Sequence, residues 1–138
     1  NMINPKKIFM GEKDFQQLYL VKKYIEKKYN AKIVKSKTIR NKNYLALSSR
    51  NNLLNKIELN KAEEIAKNLI NFKKKITKKR NMKDLILNKK NQLEEKYNIS
   101  FEYFELRNKI NLKISNEIKN SNIFIAYYIN NVRLIDNF

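Results

Sequence analysis

The sequence of 138 residues contains no cysteine, histidine or tryptophan, and it has only one glycine and one proline. Without cysteine, neither a disulfide framework nor a thiolate metal site can form, and a reducing, cytosolic (cytoplasmic) location fits this composition. Without histidine, the chain holds neither a Ser–His nor a Cys–His catalytic pair, and zinc would need carboxylates alone. An imidazole acid or base would have to come from another chain or segment.

Long apolar runs are also missing. No stretch approaches the roughly 18 residues of a membrane-spanning helix, so no membrane partner is expected. Hydrophobic residues nevertheless make up 42% of the chain and aromatic residues 11%, which suits a packed core and argues against disorder. The length fits one domain, or one domain with part of another.

Acidic residues are scarce relative to basic ones, 13 against 31, and the formal net charge is +18. Such a charge suggests nucleic acid, and the run Lys73–Arg80, "KKKITKKR", offers cations for phosphates. The same bias towards Lys, Asn and Ile, with few Gly, Pro, His and Trp, is typical of A/T-rich coding. The run also lacks the interleaved aromatic residues of single-strand binders. We therefore favour coding bias over a nucleic-acid partner.

The first forty residues predict a strand, a helix and a second strand. The short apolar run Lys7–Met10 predicts the end of the first strand. Asp14 is the expected N-cap of the helix, with Gln17 at the capping-box position. Apolar residues follow at helical spacing, namely Phe15, Leu18, Val21, Ile25 and Tyr29. Ala31–Ile39 predicts the second strand. This order is typical of a parallel sheet, so we expect the tail of an α/β domain whose beginning is absent.

Residues from about 39 onward predict a small α+β domain. Asn60 is the expected cap of one helix, with Glu63 three residues later, and Met82–Tyr97 predicts a second helix. The apolar stripe of the first helix contains Ala62, Ile65, Ala66, Leu69, Phe72 and Ile76. Three strands are predicted, at Ser100–Leu106, Ile123–Ile129 and Val132–Asp136. Asn130 and Asn131 fit a two-residue hairpin between the last two strands, because Asn tolerates positive φ.

Two loops carry candidate binding residues. In Gly11–Gln17, a glycine after a strand allows close approach of a ligand, Lys13 suits phosphate oxygens, and Gln17 suits an acid or hydroxyl group. A simple turn and helix cap explains the same residues. The second loop, Ser48–Asn51, has hydroxyls and a guanidinium that suit a polyphosphate, although this is also ordinary loop composition. Glu94 and Glu95 are expected to be solvated on a helix surface.

These segments resemble a known family. "NPKKIFMGEKDFQQL", Asn4–Leu18, is similar to the strand–turn–helix of the pantothenate synthetase (pantoate–β-alanine ligase) family. "TIRNKNYLALSSRN", Thr38–Asn51, resembles that family's second nucleotide-binding segment, and "VRLIDNF", Val132–Phe138, its C-terminal strand. The three anchors occur in the right order and cover essentially the whole chain.

The resemblance implies the tail of a Rossmann-like nucleotide-binding domain in residues 1–38, and a C-terminal α+β lid domain in residues 39–138. It implies that ATP, pantoate and β-alanine give pantothenate, AMP and pyrophosphate through a pantoyl adenylate. Mg²⁺ is expected to accompany the ATP, and the complete enzyme is expected to be a homodimer.

The resemblance also assigns roles to matching positions. Lys13 would stabilise charge on the α-phosphate as the pantoate carboxylate attacks, and Gln17 would bind pantoate. The backbone of Ile39 would meet the nucleotide, and the segment from Leu47 to Arg50 would close over the phosphates. The matching ATP-binding positions are Gly11, Glu12, Lys13, Asp14, Ile39, Leu47, Ser48, Ser49 and Arg50.

The chain departs from the family pattern in several places. Asn41, Asn43 and Tyr44 stand where the family commonly has an acid, an Asp and a Gly, and Asn130 replaces a hairpin Gly. The family's HxGH-type motif, a further pantoate glutamine and the acidic metal site are absent. We therefore expect the C-terminal half of the enzyme, inactive alone, as a fragment or the product of a split gene. A basic nucleic-acid-binding module and an inactive remnant of the ligase stay as alternatives.

Overall fold

The computed structural model of the chain describes residues 4–76 and 81–138. It divides into two compact units, one ending at Ile39 and the other spanning Arg40–Phe138. No helix among these described residues is long and apolar enough to cross a membrane. The assignment of the two units to a nucleotide-binding domain and a lid domain stays a prediction.

The first unit is a parallel β–α–β arrangement. Strand β1 (Lys7–Gly11) leads through a short 3-10 turn (Glu12–Asp14) into helix α1 (Phe15–Lys28), and strand β2 (Lys32–Ser36) follows. The two strands pair in parallel, with Phe9 opposite Val34 in the register. The predicted order of elements and the parallel pairing are therefore confirmed, and β2 ends before the predicted Ile39.

Helix α1 is held to β2 by packing and by one side-chain hydrogen bond. Phe15 and Leu18 are buried on the helix, and Ile33 is buried on the strand. The backbone N–H of Ile33 donates to Oε1 of Glu26 at 3.0 Å. Asn30 turns the chain between helix and strand with φ of 50°, a left-handed conformation that asparagine tolerates well.

The predicted capping box at the start of α1 is wrong. Asp14 occupies the N-cap position, but its side chain makes no capping hydrogen bond. The chain enters the helix through the 3-10 turn, which gives Asp14 φ of −90° and ψ of 52°. A capping side chain normally sits on extended backbone, and this conformation does not supply it.

The second unit packs two helices against an antiparallel sheet. Its helices are α2 (Lys56–Lys75) and α3 (Met82–Tyr97), and its strands are β3 (Ser100–Asn108), β4 (Ser121–Ile129) and β5 (Val132–Asn137). The strand order is β3–β4–β5, with antiparallel pairing throughout. Together with the parallel pair of the first unit, this confirms the predicted fold class, α/β plus α+β.

Apolar side chains from all of these elements form the core of the second unit. The helical stripe predicted from the sequence faces the sheet, and β4 supplies the centre of the facing layer. Side chains with essentially no exposed surface include Ala62, Ile65, Leu69, Leu93, Ile123 and Ile125.

Helix α2 begins earlier than the sequence analysis predicts. Its N-cap is Asn55, whose side chain accepts the backbone N–H groups of Ile57 and Glu58, while Glu58 accepts the N–H of Asn55. Asn55–Glu58 and Asn60–Glu63 carry the same Asn-x-x-Glu pattern, and the capping box forms at the first one. The earlier start lets the partly buried Leu59 pack against the core.

Asparagine occupies most of the left-handed positions. Six non-glycine residues of the described chain have positive φ, namely Asn30, Tyr44, Asn98, Leu112, Asn120 and Asn130. Asn98 ends α3, and Asn130 forms the predicted two-residue hairpin between β4 and β5. The Asn130 side chain also donates to Glu58 in the first turn of α2. Asn130 thus supplies the left-handed residue of this hairpin without a glycine.

An ion pair joins the beginning of the second unit to its last strand. Arg40 Nη1 lies 2.6 Å from Asp136 Oδ2, and Nη2 lies 2.9 Å from Oδ1. The Asp136 side chain is 6% exposed and that of Arg40 20%. The Arg40 guanidinium also donates to the carbonyls of Tyr44 and Asn137, and it lies 4.8 Å from the centre of the Phe138 ring.

We predict that Asp136→Asn lowers the free energy of unfolding by about 3 kcal/mol, because it leaves a largely buried guanidinium without its counter-charge. Urea denaturation at pH 7 measures this. The matched control is Glu102→Gln, which breaks a second bidentate pair, with Arg133, on the exposed surface. Exposed pairs contribute little, so the control should lose much less stability. Equal losses would show that burial of the first pair is unimportant.

Candidate functional site

The first group of candidate residues lies at the carboxyl end of β1. Gly11 is the last residue of the strand, Glu12–Asp14 form the 3-10 turn, and Gln17 lies in the first turn of α1. Asp14 and Gln17 are exposed, and Lys13 is partly buried. In open parallel sheets, ligands bind at the carboxyl ends of strands, which is the end where this group is found.

Gly11 has no conformational need for glycine. Its φ of −69° and ψ of 136° are ordinary extended values. A Cβ placed there would find no heavy atom within 4 Å, apart from its chain neighbours, in the described part of the chain. The space beside this backbone is therefore open to a ligand or another segment, as the close-approach hypothesis requires.

Glu12 has a structural contact in addition to its predicted role. Its Oε1 lies 3.3 Å from the Nζ of Lys35 on β2, and both side chains are partly exposed. The pair joins the carboxyl ends of the two parallel strands. An exposed pair of this kind adds little stability, but it orients the turn that begins with Glu12.

The second group follows a tight turn formed by residues 40–46. Arg40 and Ala46 bridge in antiparallel fashion, and the Asn41 N–H donates to the carbonyl of Leu45 at 2.9 Å. Tyr44 has φ of 72°, so it takes the left-handed conformation at the position where the family commonly has glycine. That conformation costs about 1 kcal/mol for a residue with a Cβ atom. The departures at Asn41, Asn43 and Tyr44 are thus compatible with a closed turn.

Leu47–Arg50 includes the N-cap and the first two residues of a 3-10 helix (Ser49–Leu53). Ser48 is its N-cap, and the Ser48 Oγ accepts the N–H of Arg50 at 3.3 Å. Leu47, Ser49 and Arg50 are exposed, and Arg50 Nη1 lies 3.4 Å from the carbonyl of Arg133. Two hydroxyls and a guanidinium on one short turn can donate several hydrogen bonds to phosphate oxygens.

The two groups belong to different units of the chain. Gly11–Gln17 lie in the first unit, as does the exposed Ile39, and Leu47–Arg50 lie in the second. Each group is assembled within its own unit. That both face one nucleotide stays a prediction from the resemblance.

The described residues offer no metal centre, and the first lysine of the basic run has a structural contact. No group of three or more acidic side chains that could hold a metal occurs within residues 4–76 and 81–138. Lys73 donates to Asn122 at 2.9 Å, and burial, with repulsion from Lys109, lowers the pKa of Lys73 to about 8. It is therefore not an ordinary solvated cation. Lys74 and Lys75 are exposed, and the end of the run, residues 77–80, lies outside the described residues.

The model of one protein family, described as pantoate-beta-alanine ligase, matches residues 1–138. The chain belongs to the pantoate–β-alanine ligase family. The resemblance on which the sequence analysis rests is therefore confirmed.

Curated members of this ligase family match the chain over part of their own length. It is 40% identical over 141 residues to the pantothenate synthetase of Flavobacterium psychrophilum, covering 99% of this chain and 49% of the relative. It is 38% identical over 147 residues to that of Clostridium botulinum, with coverages of 100% and 50%. The chain thus spans about half the length of the curated relatives it matches.

Solved structures of the ligase family share the fold. Pantothenate synthetase from Thermus thermophilus superposes with a TM-score of 0.87 at 23% identity, covering 99% of this chain and 50% of that protein. Pantoate-beta-alanine ligase from Francisella tularensis, complexed with Beta-gamma ATP and beta-alanine, superposes with a TM-score of 0.69 at 30% identity. The coverages are 98% and 44%.

Sequence reasoning missed the residues that hold the second group in place. Arg40 and Asp136 are 96 residues apart, and no local pattern links them. Glu63, predicted as part of a helix cap, instead accepts hydrogen bonds from Asn41 and Asn43.

We predict that Gly11→Ala leaves the first unit at least as stable, with a gain of up to about 1 kcal/mol, because alanine suits this backbone and restricts the unfolded chain. Amide hydrogen exchange in α1 and β1, compared between parent and variant, measures this locally. Faster exchange in the variant would show that the fold itself requires glycine there.

Proposed function

We propose that this chain is the C-terminal half of an ATP-dependent ligase that joins pantoate to β-alanine. The observation that carries the proposal is the family match along residues 1–138 at half the length of curated relatives. Two of the three segments on which the resemblance rests contain turns that present ammonium, hydroxyl and guanidinium groups. Such groups suit the phosphates of a nucleotide.

The proposed reaction has two displacement steps. A carboxylate oxygen of pantoate attacks the α-phosphorus of ATP, the bond to the bridging oxygen breaks, and pyrophosphate leaves. The amine of β-alanine then attacks the acyl carbon of the pantoyl adenylate, AMP leaves, and the amine loses a proton. No covalent intermediate with the protein is needed, so positioning and electrostatic stabilisation account for the protein's contribution.

The site residues divide this work between the two groups. Lys13 compensates the negative charge that builds on the α-phosphate, beside the backbone of Gly11, Glu12 and Asp14, and Gln17 binds pantoate. Ile39 meets the nucleotide through its backbone. Leu47, Ser48, Ser49 and Arg50 close over the phosphates of ATP.

ATP and β-alanine as substrates are supported by the Francisella tularensis relative, which was solved with Beta-gamma ATP and beta-alanine. Mg²⁺ commonly accompanies ATP and requires oxygen ligands. The described residues contain no carboxylate cluster that fits it, so no step is assigned to a metal here. Mg²⁺ binding, a homodimer and a cytoplasmic location stay predictions for the complete enzyme.

The exposed apolar surface of the first unit also supports the proposal that this chain is half of an enzyme. Two parallel strands alone form a marginal sheet, and parallel sheets are normally covered on both faces. Phe9, on β1, is 69% exposed, and Tyr24, on α1, is 58% exposed. We propose that the remaining half of the ligase, in the same or a separate chain, supplies the neighbouring strands and covers these side chains.

We predict that the purified chain alone forms no pantothenate. The chain fused behind the N-terminal half of the Flavobacterium psychrophilum relative should convert ATP, pantoate and β-alanine into pantothenate. Product formation is followed by mass spectrometry, and the isolated N-terminal half is the control. Turnover by the 138-residue chain alone, or a folded fusion without turnover, would contradict the proposal.

We further predict that Lys13→Ala in the fusion enzyme lowers pantoate-dependent ATP–pyrophosphate exchange about 100-fold, because a cation beside the developing charge is removed. The matched control is Lys22→Ala, which removes an exposed lysine from α1. Both variants should melt within a few degrees of the parent. Equal exchange rates in the two variants would remove Lys13 from the catalytic role.

A further inference from the structure

Glu63 lies in helix α2, and both of its carboxylate oxygens accept hydrogen bonds from other side chains. Oε1 accepts from Asn41 Nδ2 at 2.6 Å, and Oε2 accepts from Asn43 Nδ2 at 2.6 Å. The two asparagines belong to the turn of residues 40–46, which precedes the second group of candidate residues. One helix side chain is therefore bonded to two positions of this turn.

The orientation of the Asn41 amide is fixed by the backbone. Its Oδ1 accepts the N–H groups of Asn43 and Leu45, both at 3.0 Å. A flip of the amide would lose both bonds, so Nδ2 has to face an acceptor on the other side. An ionised carboxylate accepts hydrogen bonds without donating any, which makes Glu63 suited to two amide groups at once.

This turn leads directly into Leu47–Arg50, the segment proposed to close over the phosphates and called the phosphate-facing segment below. Leu45 and Ala46 are buried, and Leu47 follows at once. Asn51, at the far side of the segment, donates from its side chain to the carbonyl of Ala46 at 3.1 Å. The position of Ala46 thus sets where Leu47–Arg50 begins, and the hydrogen bond from Asn51 to Ala46 ties the far end of that segment to the same residue.

The turn also contains a backbone conformation that needs support. Tyr44 has φ of 72°, and such a residue persists only when its surroundings hold it in place. Contacts on either side do so, since Arg40 donates to the Tyr44 carbonyl at 3.0 Å and Glu63 holds the preceding Asn43.

We infer that Glu63 is a positioning residue of the ligase: through Asn41 and Asn43, it holds Leu47–Arg50 in the geometry that closes over the phosphates. The inference rests on the proposed function for its catalytic consequence. Glu63 itself acts through the turn and is not assigned to substrate. The helix does not depend on it, because α2 is capped at Asn55 and its buried stripe lies on other residues.

The first test uses the chain itself and does not require activity. Glu63→Ala should accelerate amide hydrogen exchange at Asn43 and Leu45 at least about 10-fold, because Asn41, whose Oδ1 accepts both N–H groups, loses the acceptor that holds its Nδ2. The matched control is Glu64→Ala, which removes the neighbouring carboxylate of the same helix. Its exchange rates at the turn should equal those of the parent, and both variants should melt within a few degrees of it.

The second test uses the fusion enzyme and separates positioning from folding. Glu63→Ala should raise the KM for ATP in pantoate-dependent ATP–pyrophosphate exchange about 10-fold and leave the KM for β-alanine in the complete reaction unchanged. Glu63→Gln should fall between parent and Glu63→Ala, because its Oε1 can replace one carboxylate oxygen, whereas its Nε2 is a donor and cannot accept from the second asparagine. A purely structural loss would reduce the active fraction, and thus kcat, without this order in KM.

Each outcome decides a separate point. Unchanged exchange rates at Asn43 and Leu45 would overturn the inference. Faster amide hydrogen exchange with an unchanged KM for ATP would show that Glu63 holds the turn without positioning the phosphate-facing segment. That result would also overturn the inference. A folded parent fusion without ATP–pyrophosphate exchange would refute the proposed function. The amide exchange of Ser49 and Arg50 would then still decide whether Glu63 holds that segment.

Discussion

Arg40 and Asp136 lie 96 residues apart, and their two hydrogen bonds join the first residue of the second unit to its last strand. Helices α2 and α3 and two of the three strands lie between them in the chain. Because the pair is largely buried, each partner is needed to offset the desolvation of the other. The contact therefore fixes the ends of the unit relative to each other, and the turn that follows Arg40 is built on it.

From this contact the structure builds outward to the candidate site in short steps. Arg40 holds the Tyr44 carbonyl, Glu63 holds the two asparagines, and Ala46 is buried beneath them. In the next segment Ser49 and Arg50 are exposed and Ser48 is partly buried, and the turn that precedes them is held by backbone and side-chain hydrogen bonds. Exposed binding groups on a rigid base are typical of loops that bind ligands.

Local patterns in the sequence predicted the elements well, and contacts between distant residues were beyond them. Helical spacing indicated α2 and α3, and the Asn130–Asn131 pair correctly indicated the last hairpin. The predicted cap at Asn60 was wrong because Asn55 fits the same local rule five residues earlier, and the core contact of Leu59 favours that earlier start. The candidate residues came from the family resemblance. Their supports, Arg40 with Asp136 and Glu63 with the turn, are visible only in three dimensions.

The left-handed residues connect this fold to the coding bias of the chain. Four of the six non-glycine positions with positive φ in residues 4–76 and 81–138 carry asparagine, whose codons are rich in A and T. A lineage losing glycine codons can therefore keep its turns at small energetic cost. Tyr44 and Leu112 are different, because their side chains do not ease that conformation. A glycine at either position would therefore adopt the same backbone without the steric cost of a Cβ atom.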